Sequence, residues 1–552
     1  MELVIPFGGR LNELYLPQDR VAVEKTAAHD YPSWDLTPRQ LIEVELLLSG
    51  ALSPLDGYMG RKDFEAVHES MQLTNGGFWP LPLSLTVDES FGKEINPGDT
   101  IALRDAMGVL ISTMTVSDIW QHKKAYETDK LFPDTTAGYT TAELEQKYYL
   151  GGQLKGIEPP GHYDFNQYRY TPAALRALFQ KQGWSRVVAY QTTDQMHRAH
   201  MDSVYAMAKQ AEANLLIQPL LGEIQAGDME HYARIRCFEH ILKSSAEQTT
   251  MMSLLPFAQH LAGPRAMLCR AIICQNYGCT HFIHWEDPEN QGKADVIAPY
   301  EKELAIEMLS SPVMAYVQER GQYIPLAQAA ASETVLHISD EEFHRRLQED
   351  IQIPDWYTYP EVLAELRKAY PPRYKQGFTV FLTGLSGAGK STIAQALLVK
   401  LMEAGERAVT LLDGDIVRKR LSSELGFSKA HRNLNILRIG YVASEITKNG
   451  GIAICAPIAP YRGTRREVRA MIEQQGGFVE IHVATSLEAC EARDRKGLYA
   501  KARAGLIKEF TGISDPYEEP EKPELRIDTQ DCTPEEAAQR VVLKLEHLGY
   551  IR

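Results

Sequence analysis

The chain has 552 residues, 44% of them hydrophobic and 24% charged, and a formal net charge of −15. That is too long for a single core, so two to four soluble domains are expected, and the acidic balance argues against general nucleic-acid binding. No apolar run approaches the roughly 20 residues of a membrane helix, and the seven thinly spread cysteines point to a reducing, cytoplasmic setting without a disulfide framework. The opening MELVIPFGGR lacks the basic-then-apolar order of a signal peptide. Cys274 and Cys279 are the nearest cysteine pair and have no evident partners for a four-ligand zinc site.

Residues 1–165 read as short strands and turns. WPLPLSLTV (79–87) is strand-like, and IALRDAMGVLISTMTV (101–116) folds back at a DAMG hairpin turn. From about 170 the apolar runs VVAY (187–190), NLLIQPLLG (214–222) and THFIHW (280–285) alternate with helix-like stretches, the pattern of a parallel α/β domain. The stretch QTTDQMHRAH (191–200) follows the first of these runs. It sets His197 and His200 three apart on a new helix, a spacing that suits a phosphate, a metal or an ordinary surface. Residues 353–377 carry scattered prolines and one helical pattern, a small subdomain or linker. A second α/β domain begins near 374, with strands expected at 378–384, 408–415, 451–458, 478–485 and 525–529.

This second domain carries the clearest chemistry. GLSGAGKST fits G-x-x-x-x-G-K-[ST] between a strand and a helix, with Gly384, Leu385, Ser386, Gly387, Ala388, Gly389, Lys390, Ser391 and Thr392 in order. Glycines let backbone N–H groups surround phosphate oxygens, and the helix N-terminus adds positive charge. Lys390 then reaches the β/γ-phosphates of ATP and Ser391 ligates Mg²⁺. Asp413 and Asp415 end the next strand, where carboxylates can hold Mg²⁺ or accept a proton from an attacking hydroxyl. Two basic clusters follow: Arg462, Arg465, Arg466 and Arg469, then Lys496, Lys501, Arg503 and Lys508. In an acidic chain they favour an anionic second substrate over a merely solvated face. No N-K-x-D motif occurs in 374–552, which disfavours a GTPase.

LDGDIVRKRL, LGFSKAHRNLNILRIG, ICAPIAPYRGTRR and KGLYAKARAGLIKEFTGISDPYE resemble adenylylsulfate (APS) kinase over nearly all of 374–552. The resemblance implies a P-loop fold with a parallel sheet that phosphorylates the 3′-hydroxyl of adenosine 5′-phosphosulfate (APS) with MgATP, giving ADP and PAPS. It makes Asp415 the base or Mg²⁺-organising carboxylate beside Lys390, with Mg²⁺ held through Ser391 and Asp415. Asp413, Arg418, Arg432, Asn435, Lys501 and the Ile458 backbone would contact APS, Phe427 and Phe510 would sandwich its adenine, and a lid would span about 496–512. Two departures stand out. Ala459 replaces the serine that many bacterial members phosphorylate, which implies direct transfer, and His431 replaces an aspartate before Arg432.

SGALSPLDGYM, GDMEHYARIRCFE, LAGPRAM and NYGCTHFI resemble ATP sulfurylase, in the order of the bifunctional sulfurylase–kinase proteins. That likeness implies an α/β multidomain chain: a PUA-like β-rich domain at 1–165, a Rossmann-like nucleotidyltransferase domain at 166–345, a small subdomain at 346–373, and the kinase at 374–552. In the family, sulfate attacks the α-phosphorus of ATP within Q-x-R-N-P-x-H-R-x-H and G-R-D-H-A-G. Here Gln191, His197, Arg198, His200 and Asp287 remain, while Thr193, Asp194 and Gln195 replace Arg-Asn-Pro. Trp285, Glu286 and Pro288 alter the second motif, and Gln218 replaces the histidine of H-P. Losing one charge-assisted bond to sulfate costs about 1.5–3 kcal/mol, so a working APS kinase beside an impaired sulfurylase half is expected. That half would serve as an oligomerisation platform or a ligand sensor, and the chain would form a homo-oligomer, dimer or larger. A fully bifunctional enzyme and a non-catalytic nucleotide-binding regulator or scaffold are the alternatives.

Overall fold

Strand runs that are apolar along their whole length require cover on both faces, and this chain supplies it in two separate units. The computed structural model describes residues 3–121, 148–193, 197–222, 229–244, 249–257, 263–285, 298–405, 407–507 and 509–552. One unit comprises Met1–Ser339 with Ile353–Ala369, the other Asp340–Gln352 with Tyr370–Arg552.

The N-terminal part of the first unit is built on a six-stranded, mostly antiparallel sheet. Thr100–Arg104 and Leu110–Gln121 form the expected hairpin, and the Asp105 carboxylate accepts from the N–H groups of Met107 and Val109 at 2.9 and 2.8 Å. Two expectations change. The strand read over 79–87 shrinks to Leu85–Val87, because Pro80 and Pro82 have no N–H to give a ladder. Among its described residues the same region also holds four α-helices, Gln18–Ala27, Pro38–Leu48, Arg61–Ser70 and Glu89–Glu94. Local signals for two of them are plain: Thr37 and Gln40 form a capping box ahead of Pro38, and the Asp88 side chain caps the N–H of Phe91.

The nucleotidyltransferase-like part is a parallel sheet in the order Leu255–Pro256, Asn214–Leu221, Val187–Thr192, His281–Trp285, Glu307–Ser311, with Thr250–Met252 also pairing with Asn214–Leu221. Every residue of Val187–Thr192 is buried. The segment from 353 to 369 contributes the helix Pro360–Ala369, whose Glu365 is bonded by Arg236 at 2.8 Å.

The second unit is a five-stranded, all-parallel sheet in the order Val409–Asp413, Ile452–Ala456, Phe378–Thr383, Gly477–Val483, Leu525–Ile527. Helices Lys390–Ala404 and Pro534–His547 cover one face through Ile393, Leu397, Leu401, Val541 and Leu545, where Val380 and Leu382 point. Helices Lys429–Lys448 and Arg462–Glu473 cover the other through Ile436, Ile439, Val468 and Ile472, where Phe381 and Phe478 point. The two-residue period of the strands thus divides the core into two layers. In open parallel sheets ligands bind beyond the carboxyl ends of the strands, which here are marked by Gln191 and Gln218 in the first unit and by Thr383 and Asp413 in the second. No helix among the described residues is long and apolar enough to cross a membrane.

Candidate functional site

The loop after Phe378–Thr383 is shaped by close backbone approach. Gly384 lies at φ 153°, and a Cβ there would sit 2.4 Å from the Val483 carbonyl oxygen. Gly389, at φ 105°, caps the helix Lys390–Ala404. Both demands exclude ordinary L-residues. Between them, the Tyr499 hydroxyl donates to the Ser386 carbonyl at 2.8 Å, and Ala388 is fully buried, its carbonyl accepting from Thr485 at 3.0 Å. Lys390 is buried, and its ammonium donates to the Leu385 carbonyl at 2.7 Å across the loop. Burial pulls its pKa down to about 8, against the opposing pull of Asp415 and Asp413. Thr392 follows Ser391 in the helix's first turn.

The two acids occupy different places. Asp413 ends its strand, accepts from the Ser391 hydroxyl at 2.7 Å and caps the following helix through the Asp415 N–H at 3.0 Å. Asp415 is exposed and paired with Lys496. The structure therefore brings Asp413, and not Asp415, to Ser391. A hydroxyl and carboxylates at this spot match the hard oxygen ligands that Mg²⁺ takes.

The residues expected to meet the second substrate lie around the same strand ends. Arg418 donates to the carbonyls of Leu425 and Gly426 at 3.2 and 2.9 Å and covers the Phe427 ring at 4.6 Å. Phe427 is 66% exposed. Phe510 sits edge-on to Tyr499, with centroids 5.0 Å apart. Arg432 donates through Nη1 to Thr511 Oγ1 at 2.8 Å and pairs with Asp515 at 3.0 Å. Its Nε and Nη2, and Oδ1 of the buried Asn435, are buried without a hydrogen-bond partner among the described residues. Lys501 is exposed on the short helix Leu498–Arg503. His431 Nδ1 accepts from the Gly426 N–H at 2.9 Å, which secures the turn that carries Phe427. The Ile458 carbonyl is already taken by the Thr383 hydroxyl at 2.7 Å and the Gly384 N–H at 3.3 Å.

The first basic cluster is a correction. Acids of the chain hold its arginines. Arg465, 3% exposed, donates to Glu480 at 2.9 Å and to the carbonyls of Ala459 and Glu518 at 2.7 and 2.6 Å. Arg462 and Arg466 reach Glu521, and Arg469 forks onto Glu524 at 2.9 Å through both nitrogens. The sequence hides this because Glu480 lies 15 residues beyond Arg465, and Glu521 and Glu524 lie 55 to 59 residues beyond the arginines they hold. In the second cluster Arg503 pairs with Glu491, Lys496 reaches Asp415, and Lys508 lies outside the described residues. Sequence reading missed Tyr461, Thr511 and Asp515, although they stand inside the quoted motifs.

In the first unit Gln191 is buried within a side-chain network, in which Gln218 Nε2 has no hydrogen-bond partner among the described residues. The Gln191 amide donates to Gln218 at 3.1 Å and to Cys274 Sγ at 3.0 Å, and Arg270 donates to its side-chain and main-chain oxygens at 2.8 and 2.9 Å. Arg234 donates to the Thr193 carbonyl at 2.7 Å. His197 precedes the helix Arg198–Gln210, its N–H donating to His200 Nδ1 at 3.3 Å and its ring 4.6 Å from that of Tyr357. Arg198 is turned onto the Asp355 carbonyl at 2.6 Å and the Tyr359 ring at 4.3 Å. Asp194, Gln195, Glu286, Asp287 and Pro288 lie outside the described residues.

The chain is similar to known proteins along its whole length. The family model for a PUA-like domain matches residues 4–159, that for ATP-sulfurylase residues 166–369, and that for adenylylsulphate kinase residues 376–528. Sulfate adenylyltransferase of Chaetomium globosum is 41% identical over 570 residues, 99% of each chain. That of Mycosarcoma maydis is 41% identical over 565 residues, 98% of each. A solved hexameric APS kinase from Thiobacillus denitrificans is 44% identical, covers 100% of both chains and has a TM-score of 0.85.

If the first basic cluster is structural, its members differ by burial. Arg465→Ala leaves Glu480 charged and buried and is expected to lower the stability of the second unit by about 3–5 kcal/mol. Arg466→Ala, on a side chain 67% exposed, is expected to change it by under about 1 kcal/mol. Denaturant unfolding of the two variants checks the contrast.

Proposed function

We propose, for a chain that belongs to the sulfate adenylyltransferase (ATP sulfurylase) family and ends in an adenylylsulphate kinase domain, that the second unit transfers the γ-phosphoryl group of MgATP to the 3′-hydroxyl of APS. The observation that carries this reading is the loop from Gly384 to Gly389, closed by Lys390 and flanked by Ser391 and Asp413 at the carboxyl end of a buried strand. Backbone N–H groups of 385–391 cradle the β- and γ-phosphates, and Lys390 exchanges the Leu385 carbonyl for them. Ser391, with Asp413 and Asp415, would hold the Mg²⁺, which neutralises phosphate charge in the transition state. Asp415, released from Lys496, accepts the proton of the 3′-hydroxyl. Arg418, Arg432, Asn435 and Lys501 hold the phosphosulfate and ribose, and Phe427 and Phe510 take the adenine. Ala459 has no hydroxyl, so the phosphoryl group passes directly between substrates. The hexamer of the Thiobacillus denitrificans protein supports a homo-oligomer, and seven free cysteines suit a reducing compartment such as the cytoplasm.

For the first unit, the names of the full-length relatives support sulfate adenylyltransferase activity, in which case the chain makes APS and then consumes it. A second reading, strong impairment of that activity, rests on Thr193 at the sulfate-binding arginine position and on the commitment of Arg234 and Arg270 to main-chain and glutamine oxygens. The Thiobacillus denitrificans chain, similar over its full length, is named for the kinase.

Purified chain supplied with APS and MgATP is expected to form PAPS; absence of turnover removes the kinase reading. The same protein given APS and pyrophosphate separates the two readings of the first unit: robust ATP release supports the bifunctional enzyme, release near background the impaired one. Affinity for ATP is expected to be flat below pH 8 and to fall above it. Lys390 loses its proton near pH 8 in the free protein, and binding a polyanion must then return it. Lys390→Arg, whose guanidinium stays charged, should abolish that slope when calorimetric Kd values are compared from pH 7 to 10.

A further inference from the structure

Resting on the kinase reading above, we infer that Asp515 and Tyr461 are positioning residues for Arg432, and through it set the affinity for the anionic end of APS. A guanidinium has five donors in one plane, and its Nε–H and one Nη2–H run parallel along one edge, the edge that matches two oxygens of a phosphate or sulfate. In this chain the Nη1 corner is the one in use, donating to Thr511 Oγ1 at 2.8 Å and pairing with Asp515 Oδ2 at 3.0 Å. The two nitrogens of the parallel edge are buried and have no hydrogen-bond partner among the described residues, on a side chain 10% exposed. Buried, unsatisfied donors on a charged group are costly and are retained where a ligand completes them.

What keeps that edge clear is the placement of Asp515. The Tyr461 hydroxyl donates to Asp515 Oδ2 at 2.8 Å, and the Tyr461 ring lies beneath Arg432, 5.4 Å from its guanidinium carbon. Arg432 is thus held from one side by a carboxylate and from one face by an aromatic ring, which leaves one planar orientation. The carboxylate is itself fixed by its backbone: the Asp515 N–H donates to the Phe510 carbonyl at 3.1 Å, and its carbonyl accepts from Gly512 at 2.7 Å. Phe510, proposed to stack on the adenine, and Thr511 therefore belong to the same tight turn as the group that aims the arginine. Both ends of APS are read by one six-residue turn, Phe510 to Asp515, and the residues it touches. Asp515 also offsets the charge of Arg432 while the site is empty, which keeps the arginine folded inward.

The test is steady-state kinetics on the full chain, with APS and MgATP varied in turn. Asp515→Ala is expected to raise KM for APS about tenfold and to leave KM for ATP within about twofold, a split that general loosening of the fold would not produce. Asp515→Asn keeps an acceptor oxygen in place and is expected to hold KM for APS within about threefold of the unaltered chain. Tyr461→Phe removes only the hydroxyl and should raise it about threefold; it decides the matter if Asp515→Ala does not fold. An unchanged or lowered KM for APS in Asp515→Ala, an equal rise in KM for ATP, or an unchanged KM in Tyr461→Phe overturns the inference. An unaltered chain that makes no PAPS overturns the kinase reading and this inference with it, whereas one that makes PAPS while these variants behave like it overturns the inference alone.

Discussion

A single buried guanidinium organises the substrate side of the second unit. Arg465 begins in the helix Arg462–Glu473 and bonds the neighbouring strand at Glu480, the loop between strand and helix at Ala459, and the downstream segment at Glu518. Its three contacts draw together pieces separated by up to 53 residues. Ala459 sits at φ 45°, a left-handed conformation that costs an ordinary residue roughly 1–2 kcal/mol, and the bond from Arg465 to its carbonyl helps to hold it. The carbonyl one residue earlier, that of Ile458, steadies Thr383 and the first glycine of the phosphate loop. The segment that begins at Glu518 is continuous with the turn that places Asp515. A charge buried this deeply is stabilising only when every donor is satisfied, and here the partners of Arg465 are the parts that shape the site.

The phosphate loop shows the opposite use of a buried charge. Lys390 is desolvated and bonded to one carbonyl, so its proton is held loosely, near pH 8. The acids nearby are likewise held in a resting arrangement, Asp413 on Ser391 and Asp415 on Lys496. The two acids therefore sit on different partners at the same strand end.

At the strand ends of the first unit several polar groups bond one another. Arg270, Gln191, Gln218 and Cys274 form a continuous set, and Arg234 anchors the main chain at Thr193. Cationic side chains committed to main-chain oxygens keep the sheet end rigid, but those bonds compete with any oxyanion that enters.

The architecture was legible in the amino-acid order because its causes are local or periodic. Apolar runs mark buried parallel strands, glycines mark backbone that tolerates no Cβ, and G-x-x-x-x-G-K-S between a strand and a helix admits few other uses. Even so, Thr37 with Gln40 and the Asp88 cap announced helices in a region read as strands and turns, and Pro80 and Pro82 announced the shortened strand. The charge pairing was not legible. Arg462, Arg465, Arg466 and Arg469 look like an anion site until folding brings Glu480, Glu521 and Glu524 onto them, and Asp515 looks like a turn residue until Arg432 and Tyr461 arrive from 83 and 54 positions earlier. Local sequence sets backbone conformation through sterics that act over a few residues. Which charge stays free for a ligand depends on long-range partners, and only the packed chain supplies those.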